Sequence, residues 1–483
     1  MRCAGSAYVH GPKTRRFSPS SVHNRPALAS AHPLRGIRSG HRVGILKCVS
    51  ASPGTAAGTL SVRQAAFIGV GSMVGAGIFA LLGAAGEVAG SAVWISFLLA
   101  GGVAALQGYS FAKLGARYPS AGGFLEYVIR GWGEGHFTGV LAWLLLAVNS
   151  IITAMVAVSF GNYASAAVAG NDDWTTLFAV LVLLVMSALN VLGSQAVARA
   201  QTIVVIVVIG ILVVFSIATL ASMDIDLLAT SGYPSAREIV SSVALTFFAF
   251  LGFGVITFTA KDLADPNRQL PKAIYLALGI ATVVYVAVAL GVFGTLPVDE
   301  VVASGGTALA VAAEPVLGEA GYWLMSVTAL FATAGATNSG LYPAAGLGDQ
   351  MATVGQFPPA MARRVGGRAA MGILVTAAAA IVLAIFFDLS EIASIGSAVA
   401  LVVFTLVTFG HLRVRHETGA KAWLLVLAVL ATVLVLAAFA FTTLADEPGT
   451  AVALVVILLL SIVLDLSWKR RRADAHRSLT HSE

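Results

Sequence analysis

Charge is nearly absent from twelve long stretches of this chain. Apolar runs of about twenty residues, the length a helix needs to cross a bilayer, occur near 62–82, 92–114, 136–160, 174–193, 197–221, 238–260, 272–296, 320–350, 369–387, 391–411, 422–443 and 449–467. Over all 483 residues, apolar types make up 58% and Asp, Glu, Lys and Arg together 11%. An ordinary soluble domain has about 45–50% and about 25%. Such a chain cannot clothe a water-facing surface, so the expected fold is an all-α integral membrane protein with twelve transmembrane helices. Pro343 is expected to end the eighth helix before the polar tail of its run.

The formal charge of +6 belongs to one end. Residues 1–60 hold nine Lys or Arg and no acid, and the first acid is Glu87. The rest carries 20 basic against 23 acidic residues, so nothing in the body points to nucleic acid. Rich in Arg, Ser, Pro and His, residues 1–60 cannot build a core. Their composition is that of an organellar transit peptide; the simpler expectation is a disordered basic tail or an over-long gene start. Both cysteines, Cys3 and Cys48, lie there, which leaves the body no disulfide or Cys-based metal site. No H-E-x-x-H occurs. The expected organisation is a transporter domain over 61–468, then a short basic tail over 469–483.

Loop charges give an orientation. With the N-terminus inside, alternate loops place 19 of the 20 body cations on that side, from Arg63, Lys113 and Arg117 through Arg413 and Arg415 to Lys469–Arg472. Arg237 alone falls outside, among Asp172, Asp173, Asp224, Asp226, Asp299, Glu300, Asp388, Glu391, Asp446 and Glu447. The positive-inside rule then puts both termini in the cytoplasm, and the plasma membrane is the expected location.

Two runs carry glycines in mid-span: Gly69-Val70-Gly71-Ser72-Met73-Val74-Gly75-Ala76-Gly77-Ile78-Phe79 and Phe247-Phe248-Ala249-Phe250-Leu251-Gly252-Phe253-Gly254-Val255. Glycine weakens a helix there. The two runs occupy matching places if the first ten helices are two repeats of five, and such matched breaks point to a transporter's binding site. Unwound backbone within a membrane is tolerated where it lines a cavity or meets a ligand. A half-helix N-terminus suits a carboxylate and freed carbonyls suit an ammonium, so a zwitterion fits. Helix packing competes with this role, since Gly71 and Gly75 also form a G-x-x-x-G.

Gly71 to Phe79 resembles the first-helix motif of the amino acid–polyamine–organocation permease superfamily. Tyr118-Pro119-Ser120-Ala121-Gly122-Gly123 resembles that superfamily's loop after helix two. Phe247 to Gly254, followed by Asp265-Pro266-Asn267-Arg268 and Leu270-Pro271-Lys272-Ala273-Ile274, resembles helix six and its exit loop. The resemblance runs from about 61 to 470. It implies five-plus-five inverted repeats with two additional C-terminal helices, and alternating access around a midplane site. Carried over, Gly75, Ala76, Gly77 and Ile78 would receive the carboxylate. Phe248 would be an aromatic gate, and Ala249, Phe250, Leu251, Gly252 and Gly254 would line the ammonium and side-chain end. Where many members have an acid this chain has Gly254, which disfavours cationic substrates. Thr202 to Phe215 lacks the lysine of some proton-coupled members, and Leu341-Tyr342-Pro343 lacks the usual arginine.

Asn149 and Ser150 are candidates for substrate contact, as are Gln107, Asn162, Tyr163, Asn190 and Asn338; interhelical hydrogen bonding is their ordinary role. Asp262, Asp265 and Arg268 read as a cytoplasmic gate or loop network, and Lys469 to Arg472 as an anchor at the anionic inner leaflet. The expected activity is secondary transport of a small amino acid or amine zwitterion by a monomer or homodimer in the lipid bilayer, with no cofactor. A proton is the expected coupling ion. Exchange is the alternative, and a transport-deficient sensor a further one. A membrane enzyme would need clustered His, Asp or Glu within the spans, and none is apparent.

Overall fold

A computed structural model describes residues 60–480 apart from 121–122, 193–194, 366–367, 370 and 443–447. The expected tail over 1–60 lies, but for Leu60, outside the described residues. In chain order the helices are α1 (Val62–Ala76), α2 (Ile78–Ala89), α3 (Val93–Arg117), α4 (Phe124–Trp132), α5 (His136–Ala169), α6 (Thr175–Leu192) and α7 (Gln195–Ser222). Then come α8 (Ala236–Phe248), α9 (Val255–Phe258), α10 (Pro266–Phe293), α11 (Val298–Ala303), α12 (Ala308–Thr353), α13 (Met371–Phe386), α14 (Leu389–Thr418), α15 (Ala422–Phe441) and α16 (Pro448–Thr480). A two-residue antiparallel ladder, Arg364–Val365 with Arg368–Ala369, sits between α12 and α13.

Helix runs through each of the twelve apolar stretches. By length and composition, eight helices among the described residues can cross a membrane, or nine with the bent pair α8 and α9 taken as one span. The shortfall from twelve has local causes. The first stretch is divided at Gly77 into pieces of 15 and 12 residues, and α13 has 16. Helix α12 is long enough, but its middle carries Thr333, Thr337, Asn338 and Ser339; it also breaks at Gly318, whose φ of 70° suits glycine. It then continues through Pro343 to Thr353, beyond where the proline was expected to stop it. The polar tail finds partners that favour the extra turns: Gln350 accepts from Ser120 Oγ (2.9 Å) and donates to Glu126 (3.4 Å).

Helix starts are written locally. Ser61 with Gln64, Ser235 with Glu238, and Asp388 with Glu391 form reciprocal capping boxes on α1, α8 and α14. Each satisfies two backbone donors that a helix start leaves bare. In the body, α3 packs along α10, while α5 is flanked by α6, α12, α13 and α14. Helix α1 lies between α10 and α12. Replacing the cap in Asp388→Ala should cost about 1 kcal/mol, read as a lower midpoint of thermal unfolding in detergent; an unchanged midpoint would show that packing alone positions α14.

Candidate functional site

The two glycine-rich segments meet. Helix α1 stops and α2 starts at Gly77, whose φ and ψ are −104° and −75°. The interruption is one residue wide. Gly77 N–H still donates to Met73 O (2.8 Å), and Gly77 O accepts from Leu81 N–H (3.0 Å). The second segment departs further from α geometry. After Phe248 the chain tightens, with Phe250 N–H donating to Phe247 O (2.9 Å) and Phe253 N–H to Phe250 O (3.0 Å). A 3₁₀ turn, Leu251–Gly254, follows, and the stretch Leu251–Phe258 differs in direction from α8 by 42°.

Glycine permits the contact between them. A Cβ on Gly77 would lie 2.5 Å from Ala249 Cβ and 2.9 Å from Tyr285 Oη. One on Gly252 would lie 2.6 Å from Met73 N and 2.7 Å from Ser72 C. Real Cβ contacts fall near 3.4–4 Å, so any side chain at either position would force the segments about 1 Å apart. Gly69 makes a similar close approach to Ile256.

The other expected residues divide by what they touch. Ile78, Ala249 and Leu251 are buried at the crossing, and Ala76 closes α1. Gly75 points away from the second segment: a Cβ there would strike the Ala332 carbonyl and Ala336 on α12. Gly71 faces Val205 of α7. The G-x-x-x-G therefore seats neighbouring helices. Phe248 fills the space left by Gly396 of α14, beside Ile151 of α5. The Phe250 ring meets Tyr285 edge-on at 5.1 Å. Gly254 abuts Phe124 of α4, within an aromatic cluster that includes Phe111, Phe253 and Phe404. Asn149 donates from Nδ2 to Gly340 O (3.0 Å), tying α5 to α12. Gln107 bonds Ala428 O and Thr408, and Asn190 bonds Asn338, so these amides also join helices.

Tyr285 was not among the expected residues. It is fully buried in α10, and its Oη donates to Ala249 O (3.3 Å) beside Gly77. It thus occupies a carbonyl assigned above to an ammonium. The available signal was a hydroxyl deep in an apolar run. Two buried titratable side chains inside apolar runs were missed as well. His411 lies between Ser110 Oγ (2.9 Å) and Thr418 Oγ1 (2.8 Å), and Asp465 pairs with His136 (2.6 Å).

At the basic end of the bundle, Tyr118 follows α3. Its hydroxyl donates to Glu417 (2.5 Å) at the end of α14. The guanidiniums of Arg130 and Arg117 lie 4.9 and 5.8 Å from its ring centre, and Glu126 pairs with Arg130 (2.8 Å). Two cations against two carboxylates leave this knot neutral. It joins the ends of α3 and α14 to α4 and, through Gln350, to α12. The expected gate residues are looser: Arg268 reaches Asp265 at 3.8 Å with both side chains well exposed, and Asp262 O accepts from Leu60 N–H (3.1 Å). No cluster able to hold a metal ion occurs among the described residues.

A sequence model described as amino acid permease matches residues 60–464, nearly the whole described chain. The chain belongs to the amino acid permease family. It is 32% identical to the inner membrane transport protein YbaT of Escherichia coli, over 84% of this chain and 95% of that one. It is 28% identical to cationic amino acid transporter 3, mitochondrial, of Arabidopsis thaliana, over 72% and 61% of the two chains. With the methylthioribose transporter of Bacillus subtilis the identity is 27%, over 50% and 55%. This permease is accordingly a multi-pass membrane transporter.

Removal from water, then the hydrogen bond and charge of Glu417, push the Tyr118 hydroxyl up from 10.0 to about 12. A raised folded-state value means its stabilisation is complete below pH about 10 and fades as pH climbs through about 12. The thermal midpoint of the permease should therefore fall more steeply than that of Tyr118→Phe between those values; parallel curves would show that folding does not hold this hydroxyl in its neutral form.

Proposed function

We propose that this permease moves a small, neutral amino acid or related amine zwitterion by alternating access, and that the substrate binds by separating the two segments that touch at Gly77 and Ala249. One observation carries the proposal: two helix interruptions in an apolar interior meet backbone to backbone, with one tyrosine hydroxyl on the carbonyl between them. Backbone polar groups at such depth need a partner. A zwitterion supplies both kinds, an acceptor for the N–H groups at the start of α2 and a donor for Ala249 O. Phe248, Phe250, Leu251 and Ile78 make the surroundings hydrocarbon, which suits an uncharged side chain. Two relatives are named for cationic amino acids; here Gly254 stands against Phe124 and offers no anion.

The proposed transporter has twelve spans in a five-plus-five inverted repeat with two further helices, both termini in the cytoplasm at the plasma membrane, and Gly75, Ala76 and Asn149 at the margin of the site. Matched breaks and the one-sided distribution of Lys and Arg support it. We take a proton as the coupling ion. Exchange is the second reading, favoured by the nearest neighbours of Gly77 and Gly252 being hydrocarbon, backbone and the Tyr285 hydroxyl.

Uptake into proteoliposomes from a panel of labelled amino acids tests this. Accumulation should follow an imposed pH gradient, or, under the exchange reading, internal substrate. In Gly77→Ala, the added methyl competes with Ala249 and Tyr285, a clash that costs about 1–3 kcal/mol and should depress uptake of the same substrate. Uptake of none of the panel under either condition would defeat the transporter assignment for these substrates, and wild-type kinetics in Gly77→Ala would move the site elsewhere.

A further inference from the structure

Helix α16 has little apolar contact with the protein. Only 17% of its most apolar stretch is buried, against 72% for that of α5. Its basic end is nevertheless held by polar contacts on two neighbours. Asp465, inside the last apolar run, has no exposed surface. Its Oδ2 meets His136 Nδ1 at 2.6 Å, and its Oδ1 lies 3.0 Å from Lys469 Nζ, one turn further along α16. Gly139 of α5 makes the room: a Cβ there would collide with the Asp465 carboxylate. One turn beyond Asp465, Trp468 Nε1 donates to Gly355 O (3.0 Å), and Arg472 Nη1 donates to the same oxygen (3.1 Å). Gly355 follows the end of α12. Helix α16 therefore bridges the basic ends of α5 and α12, the two helices that Asn149 and Gly340 join deeper in the bundle.

The two partners of Asp465 are not equivalent. His136 begins α5, and its side chain is 63% exposed. Lys469 belongs to the same helix as the acid and is 21% exposed. An acid left buried without a partner is strongly destabilising, so an anchor made of Asp465 and His136 alone would resist any separation of α5 from α16. With Lys469 already in place, the carboxylate keeps a cation whichever way α5 moves.

We propose that Asp465 is the hub of a releasable strap. Paired with His136, it holds the basic end of α5 against α16; when that end opens, the acid retains Lys469 and no charge is stranded. The strap rests on the transporter reading in that its release is assigned to the conformational cycle. His136 and Lys469 are positioning residues, remote from the crossing.

Thiol labelling tests the strap without needing a substrate. With Cys3 and Cys48 replaced by Ser, Thr257→Cys puts the single thiol of the protein at a buried position of α9, in the half of its span nearest the basic end. In liposomes, a membrane-impermeant reagent added on that side reports opening. His136→Gln should speed modification about fivefold, the factor expected for losing one hydrogen bond of ordinary net strength. Lys469→Met should slow it, because release then strands the acid. Asp465→Asn provides the same test as His136→Gln should that variant not fold, and should also label faster. Parent rates in both the His136 or Asp465 variant and the Lys469 variant, with only the thermal midpoint altered, would make Asp465 a fixed anchor and overturn the strap. Because labelling is read without flux, a transport-inactive protein can still pass or fail.

Discussion

The close approach of two backbones in a medium without water governs this structure. Where Gly77 meets Ala249 and Gly252 meets Met73, no side chain larger than the Ala249 methyl separates the segments. In hydrocarbon every backbone polar group needs an internal partner. The first interruption is therefore confined to one residue, and the second is wound into a 3₁₀ turn rather than left open. Tyr285 caps the carbonyl that the tightening exposes. The result is a seam closed by van der Waals contact and one neutral hydrogen bond. Such a seam is cheap to part if an incoming molecule replaces that bond, and costly to part otherwise.

The rest of the bundle supports the seam from a distance. Gly75 and Gly71 bring α12 and α7 against α1, Phe248 wedges between α5 and α14, and Asn149 ties α5 to α12. At the basic end, the neutral knot around Tyr118 and the contacts of α16 join the ends of neighbouring helices. Packing between helices in a membrane lacks the hydrophobic drive found in water. Polar contacts at the ends and small residues at the crossings therefore do more of the positioning.

Much of this was legible in the residues. The apolar runs locate every long helix, because burial of a backbone in hydrocarbon leaves few alternatives to a helix. The glycines mark both interruptions. Their width was not legible: Gly77 was expected to lie in an unwound stretch, yet hydrogen bonds to Met73 and from Leu81 close around it. Nor does glycine spacing distinguish a ligand's approach from a helix's. Gly75 and Gly77 are two residues apart, and one faces α12 while the other faces Ala249. Tyr285 escaped notice because a tyrosine in an apolar run resembles ordinary core until the carbonyl beside it is known. Asp465 was visible as a charge inside a run, and the turn to Lys469 could be counted. Its burial depends on Gly139, 326 residues away in sequence, and no local pattern reports that.

The central claim is that substrate parts the seam. A structure determined with a transported amino acid bound tests it most directly. The account predicts the ligand between Gly77 and Ala249, with Tyr285 Oη no longer on Ala249 O and the two backbones further apart than here. A bound ligand elsewhere, with the Gly77–Ala249 contact and the Tyr285 hydrogen bond intact, would contradict it.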